Sequence, residues 1–207
     1  MRLYLARHAE TVFNAGARMQ GAIAHTPLTR AGFRQAEAMG EALAGAVPPG
    51  AELELWASPA GRTVQTAAIL AEHLRRDPFE VRTDARLLEI GVGAWEGRTY
   101  AEIAAAHGPV VDRARGLFSV QAPGGEWYPA IAERLRGWLA DLDPARDVLA
   151  VSHGVTSRVL RGLLAGGPDY EGVPVGDAVP QGSVVLIEHG RETVLHVGAG
   201  DLHGRAM

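Results

Sequence analysis

Leu3 to Thr11 reads LYLARHAET. A short apolar run ends in an arginine and a histidine, and a polar turn follows it. Such a run is typical of a buried strand, so Arg7 and His8 are expected where that strand leaves the core. Open α/β sheets bind their ligands at the carboxyl ends of their strands. The stretch therefore predicts a ligand site at His8.

Asp147 to Gly154 reads DVLAVSHG and repeats the same order of residue types. A continuous apolar run again ends in a histidine, and a helical pattern follows. Continuous apolar runs are typical of central parallel strands that are buried on both faces. Because the carboxyl ends of parallel strands meet at one edge of a sheet, His8 and His153 are expected to share one pocket.

Further strands and helices alternate along the rest of the chain. Thr29 is expected to begin a helix as its N-cap, and Pro48-Pro49-Gly50 to end it. This alternation predicts an α/β fold, a three-layer α/β/α sandwich with a mostly parallel central sheet. The predicted segments are a long loop over 14–26, strands over 53–57, 79–83, 148–151, 184–187 and 194–197, helices beginning near 61, 99, 126 and 154, and a cap or lid, partly helical, around 107–127.

The composition indicates one globular domain over residues 1–207. Apolar residues make up 47% of the chain and charged residues 21%, which is ordinary for such a domain. The formal charge of -4 argues against a nucleic-acid partner, since such binders carry a strong basic excess. The absence of cysteine excludes disulfides and thiolate chemistry. The absence of lysine excludes Schiff-base and P-loop lysine chemistry.

The sequence indicates neither a membrane partner nor export. No apolar run approaches the roughly 18 residues of a membrane-spanning helix. The first strand begins almost at once, without the basic and apolar regions of a signal peptide. The expected localisation is therefore cytoplasmic.

Two arginines decide between a metal site and a phosphate site at the paired histidines. Zinc ligands on one element usually show close spacing such as H-x-x-x-H, and no such pair occurs in the sequence. Arg7 beside His8 would compete with a metal cation, whereas a guanidinium grips a phosphoryl group with paired hydrogen bonds. Arg62 falls in the first turn of a helix, where free N–H groups add to an anion site. Phosphate is therefore favoured over a metal.

Four sequence blocks match a known family in their order and spacing along nearly the whole chain. They are Arg7-His8-Ala9-Glu10-Thr11 with Asn14, Ser58-Pro59-Ala60-Gly61-Arg62 through Gln65-Thr66-Ala67, Leu88-Glu89 with Gly93-Ala94-Trp95-Glu96-Gly97, and Ser152-His153-Gly154. Together they resemble the histidine phosphatase superfamily, which has the phosphoglycerate-mutase-like fold. The chain looks most similar to its broad-specificity phosphatase branch, through residues 18–21, 27–29 and 89–99 and the tail Gly200-Asp201-Leu202-His203.

The resemblance implies a role for each matched residue. His8 would be the nucleophile and would form a phosphohistidine. Glu89 would protonate the leaving oxygen and then take a proton from the attacking water. Arg7, Arg62 and His153 would offset the charge on the equatorial oxygens of the transferred phosphoryl group, without a metal or another cofactor. The residues implied to hold the phosphoryl group are Arg7, Arg62, His153, Asn14, Gln20, Gly21 and Gly154.

Two residues depart from the family pattern. Ala9 replaces the glycine that usually follows the nucleophile, and its methyl group is expected to crowd the phosphate or the backbone. His25 stands where many members have an aspartate, and no role is assigned to it. Glu96 and Asp84 are alternatives to Glu89 as the acid, and the family pattern favours Glu89.

Three functions are open at this point. The first is a metal-independent phosphomonoesterase that hydrolyses small phosphorylated metabolites. The second is a 2,3-bisphosphoglycerate-dependent phosphoglycerate mutase. It is disfavoured because residues 102–126 are shorter than the mutase segment and their basic run is reduced to Arg113 and Arg115. The third is a non-catalytic module that binds a phosphorylated ligand.

The expected partner is a small phosphate ester, and a homodimer through the exposed edge of the terminal strand is one option. Aromatic residues near the cap either line a specificity pocket or pack in the core. These aromatic residues are Trp95, Tyr100, Phe118, Trp127 and Tyr128.

Overall fold

The computed structural model describes residues 1–199, so the matching tail from Gly200 to His203 lies outside the described part. No helix within residues 1–199 is long and apolar enough to cross a membrane. The strands are β1 (Leu3–Arg7), β2 (Leu53–Ala57), β3 (Arg82–Thr83), β4 (Val111–Asp112), β5 (Leu117–Phe118), β6 (Asp147–Ser152), β7 (Asp169–Tyr170), β8 (Val173–Pro174), β9 (Val184–Glu188) and β10 (Arg191–His196). The helices are α1 (Val12–Ala15), α2 (Arg30–Ala46), α3 (Gly61–His73), α4 (Tyr100–His107), α5 (Tyr128–Ala140) and α6 (Gly154–Ala165).

Six of the strands form one sheet in the order β10-β9-β1-β6-β2-β3. The strands β1, β6, β2 and β3 run parallel, while β9 is antiparallel to β1 and β10 is antiparallel to β9. In the register of β1 and β6, Arg7 pairs with Ser152. His8 and His153 follow these two residues, so they leave the sheet side by side. The predicted mostly parallel sheet is confirmed.

Alternate residues of the central strands face two separate hydrophobic cores. Leu3 and Leu5 belong to the core formed with α5 and α6, where Trp138 is fully buried. Tyr4 and Ala6 belong to the opposite core, which is formed with α2 and α3. Helices therefore cover both faces of the sheet, and the predicted three-layer α/β/α sandwich is confirmed.

Side-chain caps begin two helices where the sequence predicts them. The Thr29 hydroxyl accepts a hydrogen bond from the Gly32 N–H at the start of α2, and this helix ends at Ala46, just before the two prolines. Thr99 and Glu102 form a capping box at the start of α4. Local sequence therefore fixes both helix starts.

Two segments differ in structure from the predicted loop over 14–26 and the predicted partly helical cap over 107–127. The 14–26 segment begins inside α1, because Thr11 and Asn14 form a capping box around this single helical turn. Beyond the end of α4, the 107–127 segment is not helical until α5 begins after it. It contains the antiparallel hairpin of β4 and β5. The helical part of the lid prediction is therefore wrong.

The predicted edge strand over 79–83 is shorter than expected. Only Arg82 and Thr83 pair with β2. Pro78 begins a short 3₁₀ helix that Asp77 caps, because proline supplies a helical φ and has no N–H for a strand ladder. The proline thus delays the strand by three residues.

Candidate active site

His8 and His153 lie at the carboxyl ends of the neighbouring strands β1 and β6. The His8 N–H donates to the Ser152 carbonyl at 3.0 Å and extends the strand pairing by one bond. The two imidazole rings meet edge to face, with their centroids 5.2 Å apart. Both side chains are buried. The structure thus brings together the two histidines that the sequence predicts at one edge.

Hydrogen bonding determines which nitrogen of His8 carries the proton. Nδ1 lies 2.8 Å from the Ala9 carbonyl oxygen, and a carbonyl oxygen can only accept. Nδ1 therefore holds the proton and donates, and Nε2 keeps its lone pair. The His8 side chain lines a pocket. Of the two ring nitrogens, Nε2 is thus the one able to attack a phosphorus atom.

The surroundings of both histidines favour the uncharged ring. Burial and then the charges of Arg62 and Arg7 lower the pKa of His8 well below 6.5, while the bond to the Ala9 carbonyl opposes this shift. Burial, followed by the charge of Arg62, also lowers the pKa of His153 well below 6.5. At neutral pH both rings are therefore uncharged, which a nucleophilic histidine requires.

Both ring nitrogens of His153 already have partners. The Arg62 Nε–H donates to Nδ1 at 3.2 Å, so Nδ1 is the unprotonated nitrogen. Nε2 then carries the proton and donates to the Ser58 Oγ at 2.8 Å. His153 lies behind the pocket and does not line it. A direct bond from His153 to phosphate, as the resemblance implies, requires Nε2–H to exchange Ser58 for a phosphate oxygen.

Arg62 begins α3 and is held by oxygens of an adjacent loop. Its Nη1 donates to the Ile23 carbonyl at 2.8 Å and to the Thr26 Oγ1 at 3.0 Å, and its Nη2 donates to the Gly21 carbonyl at 2.8 Å. Burial lowers the pKa of Arg62 to about 10, so the side chain stays charged at neutral pH. The Arg62 Nε–H donates to His153. One Nη2–H therefore has no acceptor among the described residues and is left for a ligand.

Gly21 supports Arg62 through its carbonyl and also lines the pocket. Its φ of +49° lies in the left-handed region that favours glycine. A Cβ at this position would lie 2.7 Å from the Val92 Cγ2 and 3.0 Å from the Glu96 Oε1. Both the backbone and the close approach therefore require glycine here.

Arg7 ends β1 and lies against the first turn of α6. Its Nη1 donates to the Val179 carbonyl at 2.9 Å. A Cβ at Gly154 would lie 3.3 Å from the Arg7 Nη2, so the absent side chain makes room for the guanidinium. Burial lowers the pKa of Arg7, and the Glu89 carboxylate opposes that shift. Arg7 and the start of α6 thus form one positively charged wall of the pocket.

Glu89 caps the N-terminus of α6 from another part of the chain. Its Oε1 accepts from the N–H groups of Ile90 and Thr156 at 3.0 and 3.1 Å, and its Oε2 accepts from the Val155 N–H at 3.2 Å. The N-cap residue of α6, His153, makes no side-chain capping bond. Glu89 therefore satisfies helix donors that lack an intrahelical partner, and this fixes its carboxylate in the lining of the pocket.

The two alternative carboxylates are engaged outside the pocket. The Glu96 Oε1 accepts from the Ala22 N–H at 3.2 Å. Asp84 binds Arg86, whose hydrogen bonds lower the pKa of Asp84. Within residues 1–199, no group of three or more histidine, aspartate and glutamate side chains is placed to hold a metal ion. Glu89 is thus the acidic side chain that the described structure offers to a ligand.

Asn14 and Gln20 are joined through Thr11. The Asn14 Oδ1 accepts from the Thr11 N–H at 3.0 Å, and the one hydroxyl proton of Thr11 has two acceptors in reach, the Asn14 Oδ1 at 2.7 Å and the Gln20 Oε1 at 2.9 Å. Gln181 donates to the same Asn14 Oδ1 at 2.8 Å. Because the Thr11 N–H and the Gln181 amide both donate to this oxygen, the amide nitrogen of Asn14 is left to donate into the pocket, which Asn14 lines.

One pocket of about 130 Å³ collects these groups, close to the roughly 150 Å³ that accommodates a benzene-sized molecule in another protein. Eight of the nine residues predicted for the site line it, and His153 is the exception. The predicted residues in the lining are Arg7, His8, Asn14, Gln20, Gly21, Arg62, Glu89 and Gly154. Apolar lining is supplied by Ala17, Met19, Ile90, Val92, Val111, Phe118, Val155, Ala178 and Val179.

Two further cations of the lining were missed in the sequence. They are Arg18 and Arg158. Arg158 follows Gly154 by four residues on α6, and helical spacing places both on one face, so this signal was available. Arg18 stands in a stretch that supported the resemblance but received no role. With Arg7 and Arg62, they make the lining strongly positive.

The aromatic residues near the cap divide between the pocket and the core. Tyr100 and Phe118 line the pocket. Trp95 and Tyr128 are fully buried in the core on the α5 side, and Trp127 packs against that core. Two of the five are therefore available to a ligand.

The methyl group of Ala9 does not crowd the site. Ala9 is fully buried in a small cluster with Leu28 and Ala36, and it does not line the pocket. Its N–H donates to the Thr66 Oγ1 at 3.2 Å. The expected crowding is therefore absent, because the side chain packs away from the pocket.

Similar proteins were found by sequence. The family model of the histidine phosphatase superfamily (branch 1) matches residues 3–199. A glucosyl-3-phosphoglycerate phosphatase of Mycobacterium tuberculosis is 36% identical over 165 residues, covering 74% of this chain and 70% of that protein. A probable phosphoglycerate mutase GpmB of Proteus mirabilis is 34% identical over 178 residues, covering 82% of this chain and 77% of that protein.

A longer relative and a solved structure agree with this family. The 6-phosphofructo-2-kinase/fructose-2,6-bisphosphatase of Caenorhabditis elegans is 34% identical over 164 residues, which are 79% of this chain but 33% of that enzyme. The chain thus spans about a third of the length of that relative. The structure of mycobacterial glucosyl-3-phosphoglycerate phosphatase with VO3 has a TM-score of 0.73 at 30% identity, covering 97% of this chain and 99% of that one. The chain therefore belongs to the histidine phosphatase superfamily.

Proposed function

We propose that the chain is a metal-independent phosphomonoesterase that hydrolyses small phosphorylated metabolites through a phosphohistidine on His8. The observation that carries the proposal is the hydrogen bond of 2.8 Å from the His8 Nδ1–H to the Ala9 carbonyl. It leaves an uncharged Nε2 with a lone pair in a pocket lined by arginines. Attack by Nε2 on phosphorus would form the N–P bond and break the bond to the leaving oxygen.

The charges around His8 suit a transferred phosphoryl group. Arg7 and Arg62 would hold its equatorial oxygens, with the backbone at Gly154 and the amide nitrogen of Asn14 as neutral donors. His153 would act through Arg62, whose Nε–H it accepts. Gln20 and Gly21 complete the proposed phosphate site.

The same charges support a reaction without a metal. Four arginines line the pocket, and within the described residues one carboxylate accompanies them. Such a lining attracts a phosphate dianion and repels a metal cation. Fixed guanidinium groups also supply the charge stabilisation that a metal supplies in other phosphoryl-transfer sites.

Glu89 is proposed as the general acid and then the general base. Its carboxyl would give a proton to the leaving oxygen while the N–P bond forms. Its carboxylate would next take a proton from water as that water attacks the phosphohistidine, which restores His8 and Glu89. The N–H groups of Val155 and Thr156 support this role because they fix the position of the carboxyl group.

The proposed substrate is a small phosphate ester. A pocket of about 130 Å³ suits a compact molecule. Its apolar wall, which includes Phe118 and Val179, suits the carbon part of the ester. The relatives named as glucosyl-3-phosphoglycerate phosphatase and as probable phosphoglycerate mutase make phosphorylated hydroxy acids the first compounds to test.

We also propose that residues 1–207 act as one domain, with residues 107–127 as a cap over the pocket. Val111, Gly116 and Phe118 of this segment line the pocket, which supports the cap assignment. The homodimer and the cytoplasmic localisation stay predictions from the sequence. β10 lies at one edge of the sheet, which supports pairing with a second copy.

A second candidate is a 2,3-bisphosphoglycerate-dependent mutase, which the identity to GpmB favours. A mutase would return the phosphoryl group from His8 to an acceptor hydroxyl before water reached it. The two reactions therefore share the first step and differ in the second. The non-catalytic module would complete neither step.

The test is phosphate release from a panel of phosphomonoesters that includes 3-phosphoglycerate, sugar phosphates and an aryl phosphate, in excess chelator. The proposal predicts chelator-resistant release by the wild type and none by the His8→Ala variant. Release that disappears with chelator and returns with a divalent cation would refute metal independence. Isomerisation of 3-phosphoglycerate upon addition of 2,3-bisphosphoglycerate, without release, would identify the mutase. Binding without either reaction would identify the module.

A further inference from the structure

Gln181 is a buried side chain beside His8 that the proposed mechanism leaves without a role. It is 3% exposed and lies in the loop that leads into β9. The Arg7 N–H donates to the Ser183 carbonyl at 3.0 Å, so sheet pairing fixes this loop against the end of β1. Gln181 thus reaches His8 from 173 residues away in the sequence.

The direction of the hydrogen bonds sets the orientation of the Gln181 amide. The Asn14 Oδ1 accepts from the Thr11 backbone N–H at 3.0 Å, so the Asn14 atom on this side is an oxygen. The Gln181 atom 2.8 Å from that oxygen must be a donor, which makes it Nε2. The same Nε2 lies 3.4 Å from the Ala9 carbonyl and 3.5 Å from the His8 Nδ1.

The Nε2 donor of Gln181 acts on two side chains of the site, His8 and Asn14. Because Nε2 of Gln181 cannot accept a hydrogen bond, the His8 Nδ1–H has the Ala9 carbonyl as its acceptor. The positive end of the Gln181 amide also disfavours a second proton on the ring. On its other side, Gln181 donates to the Asn14 Oδ1 together with the Thr11 N–H, which leaves the Asn14 amide nitrogen directed to the pocket.

We propose that Gln181 is a positioning residue, whose amide keeps His8 neutral with its proton on Nδ1 and directs the Asn14 amide nitrogen toward the phosphate. The catalytic consequence rests on the proposed function. The effect on the His8 ring does not, because it exists without turnover. The charged and titratable groups that face His8 are Arg7 from β1, Arg62 from α3, His153 from the end of β6 and Glu89 in the same pocket.

The first test replaces the donor by an acceptor, in the variant Gln181→Glu. A carboxylate beside Nδ1 favours the imidazolium, so the pKa of His8 rises by about one to three units. The acid limb of kcat/KM moves to higher pH by the same amount, whereas the ionisation of the substrate is common to both proteins. Gln121→Glu is the matched control, because Gln121 is exposed and does not line the pocket, and no shift is expected.

The second test removes the donor without adding charge, in Gln181→Leu. Loss of one neutral hydrogen bond to Asn14 should raise KM about two- to tenfold. In an Asn14→Ala background the same change should have no further effect on KM, since the group it orients is gone. A purely structural role for Gln181 would make the two effects multiply. This cycle decides the question if Gln181→Glu fails to fold.

The His8 ring is followed independently of activity by titrating its ¹⁵N NMR signals. Equal His8 pKa values and acid limbs in the wild type and folded Gln181→Glu would overturn the inference. A raised pKa in the variant supports it, even where no protein of the set releases phosphate. A raised His8 pKa without phosphate release from any protein of the set would reject the proposed function and keep the inference about Gln181. The failure of one is therefore distinguishable from the failure of the other.

Discussion

Glu89→Gln separates proton transfer from the other contacts of this side chain. The amide has the same length as the carboxylate and keeps one oxygen for the N–H groups of Ile90 and Thr156. It has no carboxyl proton to give to a leaving oxygen. Its NH₂ group takes the place of Oε2, which lies 3.2 Å from the Val155 N–H, so two donors then face each other.

Two magnitudes follow from these contacts. The lost capping bond on α6 costs about 1 kcal/mol of unfolding free energy. For a chain of this size, that lowers Tm by about 2–4 °C. Loss of the general acid lowers kcat by about a hundredfold to ten-thousandfold for an alkyl phosphate, whose leaving oxygen needs a proton. The variant therefore stays folded at 25 °C while its turnover of alkyl phosphates falls.

The assay compares kcat for 3-phosphoglycerate and for p-nitrophenyl phosphate in the wild type and in Glu89→Gln. The nitrophenolate leaves without a proton, so its kcat should fall much less. Glu41→Gln is the control, since Glu41 is exposed on α2, lies outside the pocket lining and should leave both rates near wild type. An equal loss with both substrates would mean that Glu89 binds the substrate, and would refute the general-acid role.

Three further predictions concern stability and binding. Burial lowers the pKa of His8 and of His153 below 6.5, so the unfolding free energy should fall as pH drops below 6.5, by up to about 1.4 kcal/mol per pH unit for each ring. Urea unfolding at about pH 7.5 and about pH 5.5 measures this fall, and a smaller fall in His8→Asn would show the share that His8 contributes. Gly21→Ala forces a left-handed φ and a contact with Val92, so Tm should fall and KM rise through Arg62; an unchanged Tm and KM would contradict this reading. Trp138→Ala should cost about 3–5 kcal/mol by denaturant titration, and a loss below about 1 kcal/mol would contradict its place in the core.

The sheet and its ligand-binding edge were predictable because buried strands leave a strong signal. β1 and β6 each contain a continuous apolar run, and each strand is followed directly by a histidine. Eight of nine predicted site residues line one pocket. Arg7, His8, Arg62 and Gly154 stand at strand ends or helix starts, where the local pattern fixes the backbone. The roles of Asn14, Gln20, Gly21 and Glu89 were implied by the family resemblance.

Hydrogen-bond partners across the fold were not predictable in this way. The ring of His153 is held by Ser58 and Arg62, which belong to another β–α connection. Gln181 reaches His8 from a loop with no periodic pattern. Which nitrogen carries a proton depends on these distant partners, and a sequence read locally does not contain them.

The cap was predictable as a segment but not in its structure. The strands β4 and β5 have two residues each, which is too short for an alternating pattern. The 79–83 segment shows the opposite case, because an alternating pattern suggested a full strand. Pro78 overrode that pattern, since it begins a 3₁₀ turn.

Trapping the phosphorylated enzyme tests directly whether His8 is the nucleophile. Wild-type protein is mixed with substrate for less than one turnover, quenched in alkali and digested, and the phosphorylated peptide is located by mass spectrometry and ³¹P NMR. We expect a phosphoryl group on the Nε2 of His8, stable in alkali and lost in acid, that forms before steady-state release and is absent in His8→Ala. Full turnover with an unmodified His8, or a phosphoryl group on another residue, would contradict it.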